Sequence, residues 1–147
     1  MSEIQAACLY AQLEDWEVIQ NDRLSSWNHY FNKLKKLEKL KMIELPTIPN
    51  DCNHNGHMFF IKTVQKRERN HLLNFLNSEG IGAVFHYIPL HSAPGGISAS
   101  RFNGEDKFTT TASESILRLP LWFGISKLQL EKVIGSIYNY FKIDRDL

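Results

Sequence analysis

The chain has 147 residues, 43% of them hydrophobic and 22% charged, with a formal net charge of +1. These are the proportions of a soluble globular domain, and the charge balance argues against a polyanion or membrane surface as partner. No apolar run reaches the roughly 18 residues of a membrane span, and Met1–Gln5 is unlike a secretory signal, so the cytoplasm is the expected location.

Ser2 and Gln5 have the spacing of a capping box, which satisfies free N–H groups at a helix start. From there to about Leu40 there is neither proline nor glycine. Leu9, Leu13, Trp16, Leu24, Trp27, Phe31 and Leu34 recur at three- and four-residue steps, with a looser interval near Gln20. The pattern predicts one long amphipathic helix, or two helices bent near Asn21-Asp22. The lysines between Lys33 and Lys41 alternate with leucines and read as a solvated helix face. Cys8 sits among apolar residues and reads as a small core hydrophobe. Cys52 lies in a polar loop, and the two form no disulfide framework or zinc site.

Pro46 and Pro49 end the helical region, and Asn50–Gly56 is a polar loop. His57–Thr63 is a strand candidate, rich in aromatic and β-branched residues. Glu68–Asn77 reads as a helix stopped by Gly80, and Ile81–Ile88 as a second strand closed by Pro89. Ser92–Lys107 reads as a loop, with Thr111 and Glu114 as a capping box for a short helix. Ile116–Leu121 is a third strand candidate, and Ser126 with Gln129 caps a last helix carrying Leu130, Val133, Ile134, Ile137 and Phe141. The order predicts an α+β fold with helices on one face of a small, mostly antiparallel sheet.

Six histidines raise the question of a metal. His54 and His57 are three apart, a spacing that a strand would send to opposite faces, and no cysteine or carboxylate cluster completes a set, so no metal site is expected. Phe85-His86-Tyr87-Ile88-Pro89-Leu90-His91 is more informative. Two histidines and a tyrosine gather where an apolar strand runs into a proline turn, and such ends collect functional groups. Imidazole and phenol suit hydrogen bonds to a phosphate or sugar hydroxyl. The alternative is a half-buried strand tyrosine with histidines capping a turn. Ser92-Ala93-Pro94-Gly95-Gly96 lacks the phosphate-loop pattern.

Met1–Ala7 with Gln12-Leu13, the strand His57–Ile61, Phe85–His91, Ile116–Leu121 and the helix from Val133 to Phe141 resemble, in order, the C-terminal part of DegT-type sugar-nucleotide aminotransferases. The resemblance implies the small domain of a fold-type-I, pyridoxal-phosphate-dependent transferase. Residues 1–44 would link to a large domain, and residues 45–147 would form the small domain. It implies transfer of an amino group from glutamate to a keto-sugar nucleotide, with His86, Tyr87 and His91 on the substrate side. In the family the lysine that carries pyridoxal 5'-phosphate lies in the large domain. The chain has no counterpart of that lysine motif, so no catalytic residue is assigned in it, no specific cofactor binding is expected of it, and alone it should not transaminate. A non-catalytic binding or assembly domain of the same descent is the other reading. The long apolar helix stripe further predicts a homo-oligomer joined through the N-terminal helices.

Overall fold

Ser2 opens the first helix as its spacing predicts: in the computed structural model, which describes residues 1–145, its Oγ accepts from the Gln5 amide at 3.3 Å, and Gln5 Oε1 accepts from the Ser2 amide at 2.9 Å. Helix α1 runs Glu3–Glu14 and α2 Trp16–Lys39. The break falls at Asp15 (φ −102°, ψ 14°), not at Asn21-Asp22. The polar interval that suggests the later break is a set of fasteners. Asp22 Oδ2 accepts from the Gly124 amide at 2.8 Å, and Arg23 Nη2 donates to the His57 carbonyl at 2.7 Å. Cys8 is exposed rather than buried, because α1 has no buried residue at all.

Four strands follow: β1 Ile43–Glu44, β2 Phe59–Thr63, β3 Val84–Phe85 and β4 Ile116–Leu119. They form one antiparallel sheet in the order β1-β2-β4-β3. Phe59 pairs with Leu119 and Ile61 with Leu117, so these four share a face, and all are buried. Phe60, Lys62, Ile116 and Arg118 alternate onto the other face and are half-buried. Period-two alternation thus separates a covered face from an open one. β1 has only two residues and no period to betray it. It is positioned by Lys41 in a left-handed turn (φ 58°) and by Glu38 Oε1, which accepts from the Leu45 amide at 2.9 Å.

Helices α2, α3 (Lys66–Ser78) and α6 (Lys127–Phe141) supply the cover. Trp27 and Tyr30 of α2 stack around Phe59 at ring separations of 5.2 and 5.1 Å. Leu34 and Leu37 join Leu72 and Leu76 of α3 and Ile134 and Ile137 of α6 in the same core. Helix α2 from Trp27 onward therefore belongs physically to the body. Tyr30 donates to the Pro120 carbonyl at 2.9 Å, and Tyr138 to the Lys33 carbonyl at 2.8 Å, so both buried phenols have acceptors. Gly80 (φ 72°) ends α3 as the sequence predicts, with the Ile81 amide closing on the Leu76 carbonyl at 2.9 Å.

The predicted loop Ser92–Lys107 contains structure: a 3₁₀ turn at Leu90–Ser92 leads into helix α4, Pro94–Ala99. Pro94 stands at the helix start, where its missing N–H costs nothing. Gly96 lets the backbones meet, since a Cβ there would lie 1.5 Å from the Leu90 carbonyl oxygen. Helix α5 runs Thr109–Ser115. Its cap is not the predicted Thr111–Glu114 pair but Asp106, whose Oδ1 accepts from the Thr109 and Thr110 amides at 2.9 and 3.3 Å.

Candidate functional site

Strand β3 is Val84–Phe85, shorter than the predicted Ile81–Ile88. Val84 pairs with Arg118 and Phe85 with Leu117, and one residue further, past Ile116, β4 gives way to α5. The Tyr87 carbonyl is met instead by a side chain, Ser113 Oγ of α5, at 2.6 Å. Pro89 has no amide to give. The segment from His86 to Leu90 therefore leaves the sheet, held by the Tyr87 carbonyl and by the Pro89 carbonyl, which accepts from the Ser92 and Ala93 amides at 3.0 Å, and lies between two hollows.

The hollow on the open face of the sheet has a volume of about 650 Å³ and is lined by Val84, Phe85, His86, Tyr87, Ile88, Leu90 and Arg118. His86 is half-buried and its ring lies 4.7 Å from that of Tyr87, which is 74% exposed. His86 Nδ1 and Arg118 Nε are both shielded from solvent and both lack a hydrogen-bond partner. The second hollow, about 580 Å³, lies beside α3 and α5, where Arg69, Phe85, Ile88, Pro89 and Ser113 meet. There Arg69 sits over the Phe85 ring at 5.5 Å and donates through Nε to the Glu114 carbonyl at 3.1 Å. Burial lowers its guanidinium pKa, with the Glu114 charge opposing.

His91 is drawn elsewhere. Its Nε2 is 3.0 Å from Asp106 Oδ2 and 3.4 Å from Thr110 Oγ1, and its ring packs on Phe102 at 4.5 Å. The Thr110 hydroxyl holds the Asp106 carboxyl below the usual carboxylate range, helped by the Thr110 and Thr109 amides and by the His91 charge, against a smaller effect of burial. Both contacts use the same ring nitrogen, so this is not the relay of a hydrolase triad, which needs the carboxylate on Nδ1 and the hydroxyl on Nε2. It is a clasp from the 3₁₀ turn to the start of α5.

Of the three residues singled out by sequence, the fold brings His86 and Tyr87 to one hollow and puts His91 outside its lining. Arg118, Asp106 and Thr110 escape the sequence reading. A lone charge inside Ile116-Leu117-Arg118-Leu119 is a signal for the first; nothing in the sequence pairs His91 with Asp106. His54 and His57 serve the loop: His54 Nδ1 accepts from the Gly56 amide at 3.2 Å, and His57 supplies the carbonyl for Arg23. Among the described residues no group of three or more His, Cys, Asp or Glu side chains is placed to hold a metal. No helix among them is long and apolar enough to cross a membrane.

The lysines do not fit a Schiff-base role. None is buried, and Lys62, Lys66 and Lys107 are paired with Glu44, Glu114 and Glu105. A cofactor amine needs an enclosed site with an acidic partner for the pyridine nitrogen, and the described residues do not assemble one around any lysine.

Residues 1–138 match the family model described as the DegT/DnrJ/EryC1/StrS aminotransferase family. The pleiotropic regulatory protein of Geobacillus stearothermophilus is 23% identical over 146 residues, which are 97% of this chain and 37% of that protein. The crystal structure of DesV from S. venezuelae superposes with a TM-score of 0.79 at 23% identity, over 95% of this chain and 36% of DesV. A family aminotransferase from Brucella abortus gives 0.74 at 25% identity, over 93% of this chain and 35% of its own. The chain thus spans little more than a third of the relatives it matches, and its antiparallel sheet and helices reproduce a part of their fold. It belongs to the DegT/DnrJ/EryC1/StrS aminotransferase family of pyridoxal-phosphate-dependent enzymes.

Proposed function

We propose that the chain is the C-terminal part of a sugar-nucleotide transaminase. The enzyme moves an amino group from glutamate to a dTDP-4-keto-6-deoxyhexose. Its functional type is dTDP-4-amino-4,6-dideoxygalactose transaminase, which acts in the cytoplasm in the synthesis of enterobacterial common antigen or lipopolysaccharide. Phe85–His91, Gly104–Lys107 and Asn139–Phe141 carry the likeness to that member. The observation that carries the reading is the open-face hollow where His86 and Tyr87 meet at a strand end.

In this reading His86 and Tyr87 contact the sugar nucleotide, and His91, with Nε2 engaged by Asp106, offers Nδ1 to a substrate hydroxyl. The cofactor, its lysine and its acidic partner belong to a large domain outside these 147 residues. Residues 1–44 lead toward that domain, and residues 45–147 are the small domain. Bound pyridoxal phosphate supplies the electron sink; the chain's own residues bind and orient the sugar.

Expression of the reading frame that includes the region upstream of Met1 tests this. Glutamate-dependent amination of the keto-sugar nucleotide is expected, with KM raised in His86→Ala, Tyr87→Ala and His91→Ala. Absence of turnover, or unchanged kinetics in all three variants, overturns it. The 147-residue chain alone should show only scattered aldimines on borohydride trapping; one stoichiometric lysine with turnover would contradict that.

We also propose that the exposed apolar residues at the N-terminal end of the helical region drive self-association of the isolated chain. Leu9 and Leu13 of α1 and Trp16 at the start of α2 are 45%, 57% and 56% exposed, and burying apolar area is worth about 25 cal/mol per Å². Sedimentation at micromolar concentration should show a dimer or larger species that Leu13→Glu with Trp16→Glu dissolves. A clean monomer removes the idea.

A further inference from the structure

The open face of the sheet holds a charge without a counter-charge. Arg118 stands in β4 between Phe60 of β2 and Val84 of β3, its two register partners. Among the described residues it has no carboxylate within ion-pairing distance, whereas Lys62 on the same face is matched by Glu44 at 3.6 Å. Its Nε–H is shielded from water and meets no acceptor. Across the same hollow His86 Nδ1 is in the same condition. The two are set there by one alternation: Val84 is paired with Arg118, and His86 is two residues further on.

A shielded donor without an acceptor is costly, and native structures rarely leave two around one cavity. An oxyanion is an acceptor suited to both kinds of group. A guanidinium presents a planar fork of donors matched to phosphate and carboxylate oxygens, and an imidazole with its proton on Nδ1 adds a further donor. The apolar walls supplied by Val84, Ile88 and Leu90 weaken screening and strengthen the attraction. The hollow, about 650 Å³, has room for more than a single phosphate group.

We infer that Arg118 and His86 form an oxyanion-binding site on the open face of the sheet, built for a phosphate ester or a carboxylate. The inference rests on the proposed transaminase only for the source of the anion, which is the diphosphate of a sugar nucleotide or a carboxylate of the amino donor. The site itself is a property of this chain.

The 147-residue chain, labelled with ¹⁵N, is titrated separately with inorganic pyrophosphate, dTDP and glutamate while the Arg118 Nε–H and His86 ring nitrogens are followed. Both sets of signals should move together with a single dissociation constant. Arg118→Gln should weaken binding about tenfold or more, Arg118→Lys should recover only part of it, and His86→Phe should act less than multiplicatively with Arg118→Gln. Circular dichroism shows whether each variant folds. Arg67→Gln, on the exposed start of α3, should leave the affinity unchanged. Preference for pyrophosphate and dTDP assigns the site to the nucleotide, and preference for glutamate assigns it to the amino donor. Silence of the Arg118 and His86 signals at tens of millimolar of every probe overturns the inference. So does equal weakening by Arg67→Gln, which would mark attraction to surface charge in general. A longer enzyme that fails to transaminate would overturn the proposed function and leave this result standing.

Discussion

Leu9, Leu13 and Trp16 are 45%, 57% and 56% exposed, whereas Trp27, Leu34 and Leu37, further along the same run without proline or glycine, are 4%, 0% and 0% exposed. Both stretches have apolar residues at helical spacing, and both are helical. The second stretch joins Phe59, Ile134 and Ile137 in the core of this chain, whereas no residue of the first is buried or belongs to that core. Periodicity reports that a face is made to be covered; it does not report whether the cover belongs to the same chain. A helix of twelve residues such as α1 is marginal in water on its own, so its stability should follow its own cap and its neighbours rather than the body's core.

The largest effect that separates the two regions is core truncation. Phe59→Ala removes a ring with no exposed surface, packed on Trp27 and Tyr30, and should cost about 3–5 kcal/mol in denaturant unfolding. Leu13→Ala should stay within about 0.5 kcal/mol under conditions where the chain is monomeric. Comparable losses at both sites would mean that α1 packs on the body in solution.

Next comes the buried phenol of Tyr30, which burial raises well above its ordinary pKa, so it stays a donor at any physiological pH. Tyr30→Phe strands the Pro120 carbonyl and should cost about 1–3 kcal/mol.

The two capping boxes make the sharpest internal control, because Ser2 on α1 and Ser126 on α6 make the same reciprocal bonds. Ser126→Ala should lower global stability by about 1 kcal/mol. Ser2→Ala should fray α1, seen as faster amide exchange at residues 3–7, without moving the unfolding midpoint.

The smallest effect expected concerns the His91–Asp106 clasp and is local. A carboxylate with a depressed pKa contributes stability that is present above its unfolded value and lost as pH falls through the folded one. Acidification below the usual carboxylate range should therefore loosen residues 102–110 first, while 130–138 stay protected from exchange. In Asp106→Asn that acid-dependent step should vanish. Simultaneous loss of protection in both segments would show the clasp to be part of the global unit.

Much of the body was legible in the sequence because its signals are local. Ser126 with Gln129, Gly80 after α3, and the alternation through Phe59–Thr63 and Ile116–Leu119 each carry their own physical reason. The misreadings have tertiary causes. Asn21-Asp22 reads as a bend because the polar side chains of Asp22 and its neighbour Arg23 interrupt the apolar period to reach Gly124 and His57. β1 is too short for a period, and α4 begins within a run of small residues that reads as loop. At the candidate site, the gathering of His86 and Tyr87 follows from adjacency. Arg118 reaches the same hollow only through the pairing of β3 with β4, and Asp106 reaches His91 only because it caps α5.

The strand order has a consequence for how the polypeptide is made. The central pair joins Phe59 to Leu119, residues about sixty positions apart, and the edge strand β3 waits for the same partner. On a ribosome, β2 emerges long before β4, and Leu34 and Leu37 emerge long before Ile134 and Ile137. Part of the hydrophobic core is thus synthesised without the rest, and the nascent chain carries an unpaired Phe59–Thr63 edge until β4 has been translated. Pairing between strands so far apart in sequence is expected to make refolding slow, whatever the protein binds.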